Sequence, residues 1–472
     1  MARTGASGIA RIQDAAYPHR ASQRSLGLGQ ALVWLAISGA GVAAFLAAPD
    51  VMLKQSVFAV QLAFVLYGFW RCLLAVASLN MPAPWPMVRG QKLPRYTVLV
   101  ALLDEAEILP QLVPRLAAID YPRDRLEGYL LLEAHDRATI AAARACSLPP
   151  WLQVCVVPED GQRTKPHALN HGLAAARGQF VTVYDAEDAP DPLQQREAAQ
   201  RFAADTTGSL WALQSPLRIR TRDRSDSPFL DRQFAVEYAA LFEVTLPAMA
   251  RLGLPFPLGG TSNHFRVDAL RAVGGWDAHN VTEDADLGFR LWRAGGRLGT
   301  LSRPTLEPPP GALVDWLPQR TRWLKGYMQT WGVHTRDLRR LGWRGCASLA
   351  LTVGVALASA AIHAGTVAWV VASVAIALAA GLQPATPIFA MAVLAWGTSA
   401  AWLTGHVGAG RAGVPYTPVD MIVAPAYWSL LSLGFYHALW RLVREPFAWD
   451  KTRHSPDPGL PNSHLDAGRE VA

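Results

Sequence analysis

Hydrophobic and polar positions divide the chain into three stretches. From Gln30 to Ala48 the sequence "QALVWLAISGAGVAAFLAA" carries no charge, and it meets the length of roughly 18 apolar residues needed to span a bilayer. A second apolar run, Val57 to Leu79, follows and contains Arg71. That arginine either snorkels from near one end of its helix or faces a polar cavity. After Arg344 the apolar character returns in Leu349 to Ile362, Thr366 to Leu382, Pro387 to Leu403 and Met421 to Leu442. Read as four helices, these runs bring the expected number of spans to six; one long helix over Leu349 to Leu382 is the alternative. An even number places the Arg-rich N-terminus, the middle stretch and the tail "RLVREPFAWDKTRH" on one side, as the positive-inside rule prefers. The middle stretch is then cytoplasmic.

Between the apolar ends, Pro94 to Arg340 alternates strand-like and helix-like patterns. "YTVLVALL", "GYLLLEAHD", "LQVCVVP" and "FVTVYDAED" are short apolar runs, separated by the helical "AEILPQLVPRLAAI", "ATIAAARA" and "KPHALNHGLAAARG". Such alternation predicts βαβ units and a parallel sheet, with ligands bound beyond the carboxyl ends of its strands. Polar groups gather at those ends: Glu105, then Glu133 and Asp136, then Asp185 to Asp188. The resulting layout is an N-terminal arm (1–29), two spans (30–80), a cytosolic domain (94–340) ending in an interface helix (315–340), about four spans (347–442) and a tail (443–472) that is partly disordered from Ser455. The arm is too long, and its apolar run too extended, for a cleavable signal peptide.

Composition changes this picture little. The chain has 472 residues, a net charge of +7 and 51% hydrophobic residues. The positive balance belongs mainly to membrane topology, and nothing points to nucleic acid. Four cysteines without metal-ligand spacing read as buried thiols in a reducing compartment. The histidines form no ligand pattern, and neither a P-loop nor a Ser/His/Asp arrangement is present.

The candidate chemistry begins with "FVTVYDAEDAPDP". Carboxylates at a strand end either hold a hard cation or only cap a turn. "NVTEDADLGFRLWRAGG" reads as an amphipathic helix capped by Thr282, with Glu283, Asp284 and Asp286 in its first turn. "DWLPQRTRWLKGYMQTWGVHTRDLRR" carries aromatic residues at helical spacing, with Arg and Lys suited to headgroup level.

Together with "TKPHALN" and "PLGGTSNHF", the ordered "DAE", "TED" and "QRTRW" motifs resemble the glycosyltransferase family 2 domain of membrane-embedded cellulose and hyaluronan synthases. The resemblance covers the middle stretch and extends into the flanking helices. It implies an α/β GT-A (Rossmann-like) domain inserted between transmembrane α-helices, in a multi-pass protein of a bacterial inner membrane. It further implies a nucleotide diphosphate sugar donor, most simply a UDP-sugar, with Mg2+ or Mn2+. Asp185 and Glu187 stand at the metal positions, with Asp188 as an alternative to Glu187. Asp284, beside Glu283, stands where the base deprotonates the acceptor hydroxyl, so an α-linked donor yields a β-linked product.

By the same resemblance, Lys165 contacts the nucleotide or its phosphates, and Glu105 and Glu133 line the donor site. Glu133 replaces an aspartate that meets the uracil. In the QxxRW motif an arginine meets the pyrophosphate, either Arg320 or the motif's own Arg322, while Gln319 and Trp323 serve the acceptor sugar. Gly260 and Thr261 contact the acceptor. The implied acceptor is a growing polysaccharide, which brings export partners with it. Transfer to a lipid carrier, a polyprenyl phosphate or diacylglycerol, is the alternative, and membrane lipids surround the helices either way.

Overall fold

The computed structural model describes residues 27–79, 93–161, 163–220, 227–381 and 388–449. The tail expected to be disordered from Ser455 lies outside them. Two helices come first, α1 (Leu28–Ala47) and α2 (Pro49–Leu79). Pro49 opens α2, where a missing backbone N–H costs nothing. The start of α1 is tied to the domain that follows: the Gln30 amide donates to Gly332 O (2.8 Å) and Thr335 Oγ1 (2.9 Å).

The next elements are β1 (Tyr96–Leu102), α3 (Leu109–Ala117), β2 (Leu126–Glu133), α4 (Arg137–Ala145), β3 (Leu152–Val157), α5 (Lys165–Ala175), β4 (Phe180–Tyr184), β5 (Ala189–Pro190), α6 (Gln194–Ala204), β6 (Leu210–Gln214) and β7 (Leu217–Ile219). Then follow α7 (Pro228–Ala239), a π-helical stretch (Ala240–Thr245), α8 (Leu246–Arg251), β8 (Asn263–Arg266), α9 (Val267–Ala272), α10 (Glu283–Arg293), β9 (Arg297–Thr300), β10 (Thr305–Glu307) and α11 (Leu313–His334).

Seven strands form one sheet in the order β3-β2-β1-β4-β8-β6-β9, and β5-β10-β7 form a second. β1 to β4 are parallel, as their buried apolar runs predict. Past β4 the expectation of a parallel sheet fails. Within this sheet β8 alone runs antiparallel, to both β4 and β6, while β6 and β9 pair in parallel; it enters the sheet from the 252–262 loop that follows α8. Core residues such as Leu99, Leu131, Val181 and Leu173 pack beneath the sheet, and the strand ends meet α10 and α11 above it.

After α11 come α12 (Leu338–Leu349), a π-helical turn (Ala350–Gly354), α13 (Val355–Ala379), α14 (Ile388–Ala412) and α15 (Pro418–Arg444). Among the described residues five helices are long and apolar enough to cross a membrane, one of them Leu338–Ala379, which kinks at Gly342 (φ 68°) and runs on as one rod from Trp343. The six expected spans are therefore not found. "HAG" does not interrupt the rod: His363 packs edge-on against Trp428 (5.8 Å), and the Ala364 N–H meets Ser432 Oγ at 3.2 Å. Packing against α15 thus continues the helix across a weakly helix-breaking triplet.

α15 touches the sheet-bearing domain at both of its ends. Asp420 accepts from Arg232 Nε (2.8 Å) at the start, while Lys325 Nζ donates to Ala448 O (2.7 Å) just past the end. α2 packs along α14, and α13 along α15.

Candidate active site

One cavity over the carboxyl ends of β1, β2 and β4 is lined by twelve residues the sequence nominates: Glu105, Glu133, Lys165, Asp185, Glu187, Gly260, Thr261, Glu283, Asp284, Gln319, Arg322 and Trp323. These residues come from seven separate parts of the chain, and only the fold unites them.

The turn after β4 separates two acids the sequence left as alternatives. Glu187 lines the cavity. Asp188 does not; it is fully buried, and its Oδ2 accepts from the Asp185 N–H (2.8 Å) and from the Thr261 hydroxyl. Asp188 therefore braces the turn that aims Asp185 outward. The Thr261 hydroxyl, expected to meet acceptor, is committed to this brace.

Lys165, at the start of α5, forms an ion pair with Asp185 and donates to Gly260 O at 2.7 Å. Burial disfavours its charge, but Asp185, Glu283 and Asp284 overcome this and hold it protonated. Gly260 sits so close to the base position that a Cβ there would lie 3.2 Å from Asp284 Oδ2.

Asp284 is held by α10. Thr282 is the N-cap as expected, yet its side chain makes no capping bond; the Thr282 N–H instead donates to Asn280 Oδ1 at 2.9 Å. The helix is pinned from its other side by Asp286, which pairs with Arg290 (2.6 Å) and with His334 Nε2 of α11 (2.9 Å). Burial raises the pKa of Asp284, against the pull of the Ala285 N–H, Lys165 and Arg322. Burial and then the Asp284 charge push Glu283 up to about 8. Near neutral pH Glu283 is therefore largely protonated.

On α11 the two arginines part company. Arg320 is buried and bidentate to Glu237 of α7 (2.7 and 2.6 Å), and it lies over the Trp323 (4.6 Å) and Phe234 (4.8 Å) rings. It is a structural clamp. Arg322 lines the cavity, rests over Trp449 at 4.9 Å and keeps a buried Nε without a partner. Gln319 likewise has a buried, unpartnered Oε1. Unmet donors and acceptors at a cavity wall fit a ligand that supplies the missing partners.

For a divalent cation the wall offers hard carboxylate oxygens at Asp185 and Glu187, and behind them Glu307 Oε1 and Asp188 Oδ1 are buried without a partner. Burial and the charges of Asp188, Glu187 and Asp185 hold Glu307 well above the usual carboxylate range. This excess of negative charge fits a cation. Among the described residues, however, no three His, Cys, Asp or Glu side chains converge as a ready ligand set, since Asp185 is turned to Lys165.

A family model described as glycosyltransferase-like family 2 matches residues 94–337, half of the chain. The chain belongs to this glycosyltransferase family. It is 28% identical over 261 residues to a beta-monoglucosyldiacylglycerol synthase of Synechocystis, covering 53% of this chain and 52% of that protein. It is also 27% identical over 243 residues to the UDP-forming cellulose synthase catalytic subunit of Komagataeibacter sucrofermentans, covering 50% of this chain and 31% of that one. The chain thus spans about half the length of the first curated relatives it matches. Among solved structures it resembles a mannosyltransferase of Pyrobaculum calidifontis in complex with GDP-Man and Mn2+, with a TM-score of 0.52 and 22% identity over 82% of this chain and 98% of that one. That likeness establishes the GT-A-like mixed α/β fold.

Several residues of the cavity wall escaped the sequence reading. Glu307 belongs to a strand of three residues in the second sheet, and no periodic signal flags it. Tyr238, Leu241 and Phe242 line the cavity from α7 and its π-helical stretch, where they read as ordinary core. Trp449 arrives from beyond α15.

Proposed function

We propose that this chain is an inverting membrane glycosyltransferase that takes a sugar from a nucleotide diphosphate donor, most simply a UDP-sugar, and transfers it to an acceptor hydroxyl delivered from the membrane. The observation that carries this reading is the convergence of Asp284, Lys165, Arg322 and Asp185 on one cavity whose wall still holds unpaired polar atoms. Glu105 and Glu133 lie at the donor end. Lys165 and Arg322 bind the diphosphate, Arg322 through its planar donor fork. Asp284 takes the proton from the acceptor oxygen as that oxygen attacks the anomeric carbon, and the bond to the nucleoside diphosphate breaks on the opposite face. Glu283, protonated beside it, keeps a second negative charge away from the incoming nucleophile.

Asp185 and Glu187 would hold a Mg2+ or Mn2+ ion, which offsets charge developing on the leaving diphosphate. Lys165 would then release Asp185 and turn to the phosphate.

For the acceptor, the geometry favours a lipid-borne hydroxyl over the growing polysaccharide expected first. Leu217, Tyr238, Leu241, Phe242, Leu258 and Tyr327 make that end of the cavity apolar and aromatic. The helices outside the domain pack as two pairs, α2 with α14 and α13 with α15, an arrangement suited to lateral entry of a lipid. The polymer remains the second reading because Trp323 and Gln319 offer a sugar-binding shelf at the same wall.

Membrane vesicles given labelled UDP-sugars and Mn2+, with Asp284→Asn as the blank, test both. Asp284-dependent label in a solvent-extractable lipid fraction supports the first reading, and label in alcohol-insoluble polymer supports the second. No difference from the blank with any donor overturns the activity. Chelation of divalent ions should abolish transfer, with Mn2+ or Mg2+ restoring it; retention of full activity in chelator would overturn the metal assignment.

A further inference from the structure

Arg71 is a cation within a helix long and apolar enough to span a membrane. It stands on α2, seven residues before Ser78, whose carbonyl accepts from Arg411 at the base of the helix pair. At a rise of 1.5 Å per residue this places it roughly 10 Å further along α2. Its Nη2 donates to the Thr404 hydroxyl of α14, it lies over the Tyr67 ring at 5.9 Å, and its Nε is buried without a partner. Among the described residues it forms no ion pair. A charge held in a bilayer without a counter-ion is costly and by default marks a function. A hydroxyl and a ring face leave most of that cost unmet.

Its position relates it to the cavity. One turn below Thr404, Gly405 and Gly408 of α14 bring that helix against Val236, Ala239 and Ala240. This is the stretch of α7 and π-helix whose Tyr238, Leu241 and Phe242 line the cavity on its other side. Arg71 therefore sits above the apolar end of the cavity, at the depth where the headgroup of a lipid entering between the helix pairs would pass.

We propose that the Arg71 guanidinium, with the Thr404 hydroxyl, is a binding site for a phosphate group carried by a membrane lipid. A phosphate supplies the missing negative charge and accepts from the unpartnered Nε as well as from an Nη, the two-point geometry that arginine favours. As a route for acceptor the site rests on the lipid-borne reading above, but phosphate binding itself does not require turnover.

The full chain in detergent, mixed with dioleoyl phosphatidic acid and dioleoylglycerol and examined by native mass spectrometry, separates the two questions because these lipids share tails and differ in the phosphate. The wild type should retain phosphatidic acid preferentially by about tenfold, the scale of one charge-assisted hydrogen bond. Arg71→Gln, which preserves a donor for Thr404, should lose that preference, and Arg71→Lys should keep part of it. An unchanged preference in Arg71→Gln overturns the site, as does a fall in melting temperature with the preference intact, which would mark a purely structural arginine. Displacement of phosphatidic acid by millimolar inorganic phosphate would overturn the lipid part and assign a soluble phosphate. Selective binding without sugar transfer to any lipid would leave the site standing and remove the lipid-acceptor reading.

Discussion

Asp284 and Glu283 are neighbours with different duties, and pH separates them. Asp284→Asn should lower kcat by about 10^2- to 10^4-fold, the range for loss of a general base, while donor affinity is retained; equal loss in binding would mean that the residue holds the donor. Because the pKa of Asp284 is raised, the acid limb of the pH–rate profile should fall off above the usual carboxylate range. Glu283 bears on stability. Its folded value of about 8 lies above its ordinary 4.5, so the folded state favours the protonated form. The stability it contributes is complete below about pH 4.5 and is lost as pH rises through 8. Melting temperatures of the donor-free protein should decline over that window, and Glu283→Gln should flatten the decline. These residue types were legible in the "TED" motif; their division of labour was not, because it depends on burial that the motif cannot express.

At the scale of elements, α10 and α11 work as one clamp. Gly326 of α11 faces Thr282 so closely that a Cβ would come within 2.3 Å of its hydroxyl. Gly326→Ala should cost about 1 to 3 kcal/mol by overpacking and, by pushing the start of α10, reduce kcat more than the change in stability accounts for. Arg320→Ala should destabilise the protein by about 2 to 3 kcal/mol in denaturant unfolding. This is below the range for a fully buried pair, because the Glu237 side chain is 38% exposed. The QxxRW pattern announced a helix rich in Arg and Trp, yet it could not say which arginine faces the cavity. Both lie in one sequence turn, and only the positions of Glu237 and Tyr427 commit Arg320 to structure.

At the scale of the whole molecule, the bonding of α15 at both ends to the glycosyltransferase domain predicts four crossings, with α15 lying along the membrane face of that domain. Its 27 residues reach about 40 Å, yet both ends bond to that domain. This keeps the even count demanded by the charge pattern with fewer spans than expected. In a cysteine-free background, Gly381→Cys should react with an impermeant maleimide from outside the cell and Glu445→Cys only after the membrane is opened. Labelling of Glu445→Cys from outside would mean that α15 crosses.

The sequence by itself determined the strand and helix periods, the family and the residue types of the site, since buried strands, apolar spans and spaced motifs are local patterns. Tertiary structure decided the antiparallel return of β8, the merging of two apolar runs into one rod, the structural roles of Asp188 and Arg320, and the arrival of Glu307 and Trp449 at the cavity. Each of these depends on which distant residue supplies the packing surface or the hydrogen-bond partner, and hydrophobic periodicity carries no information about that.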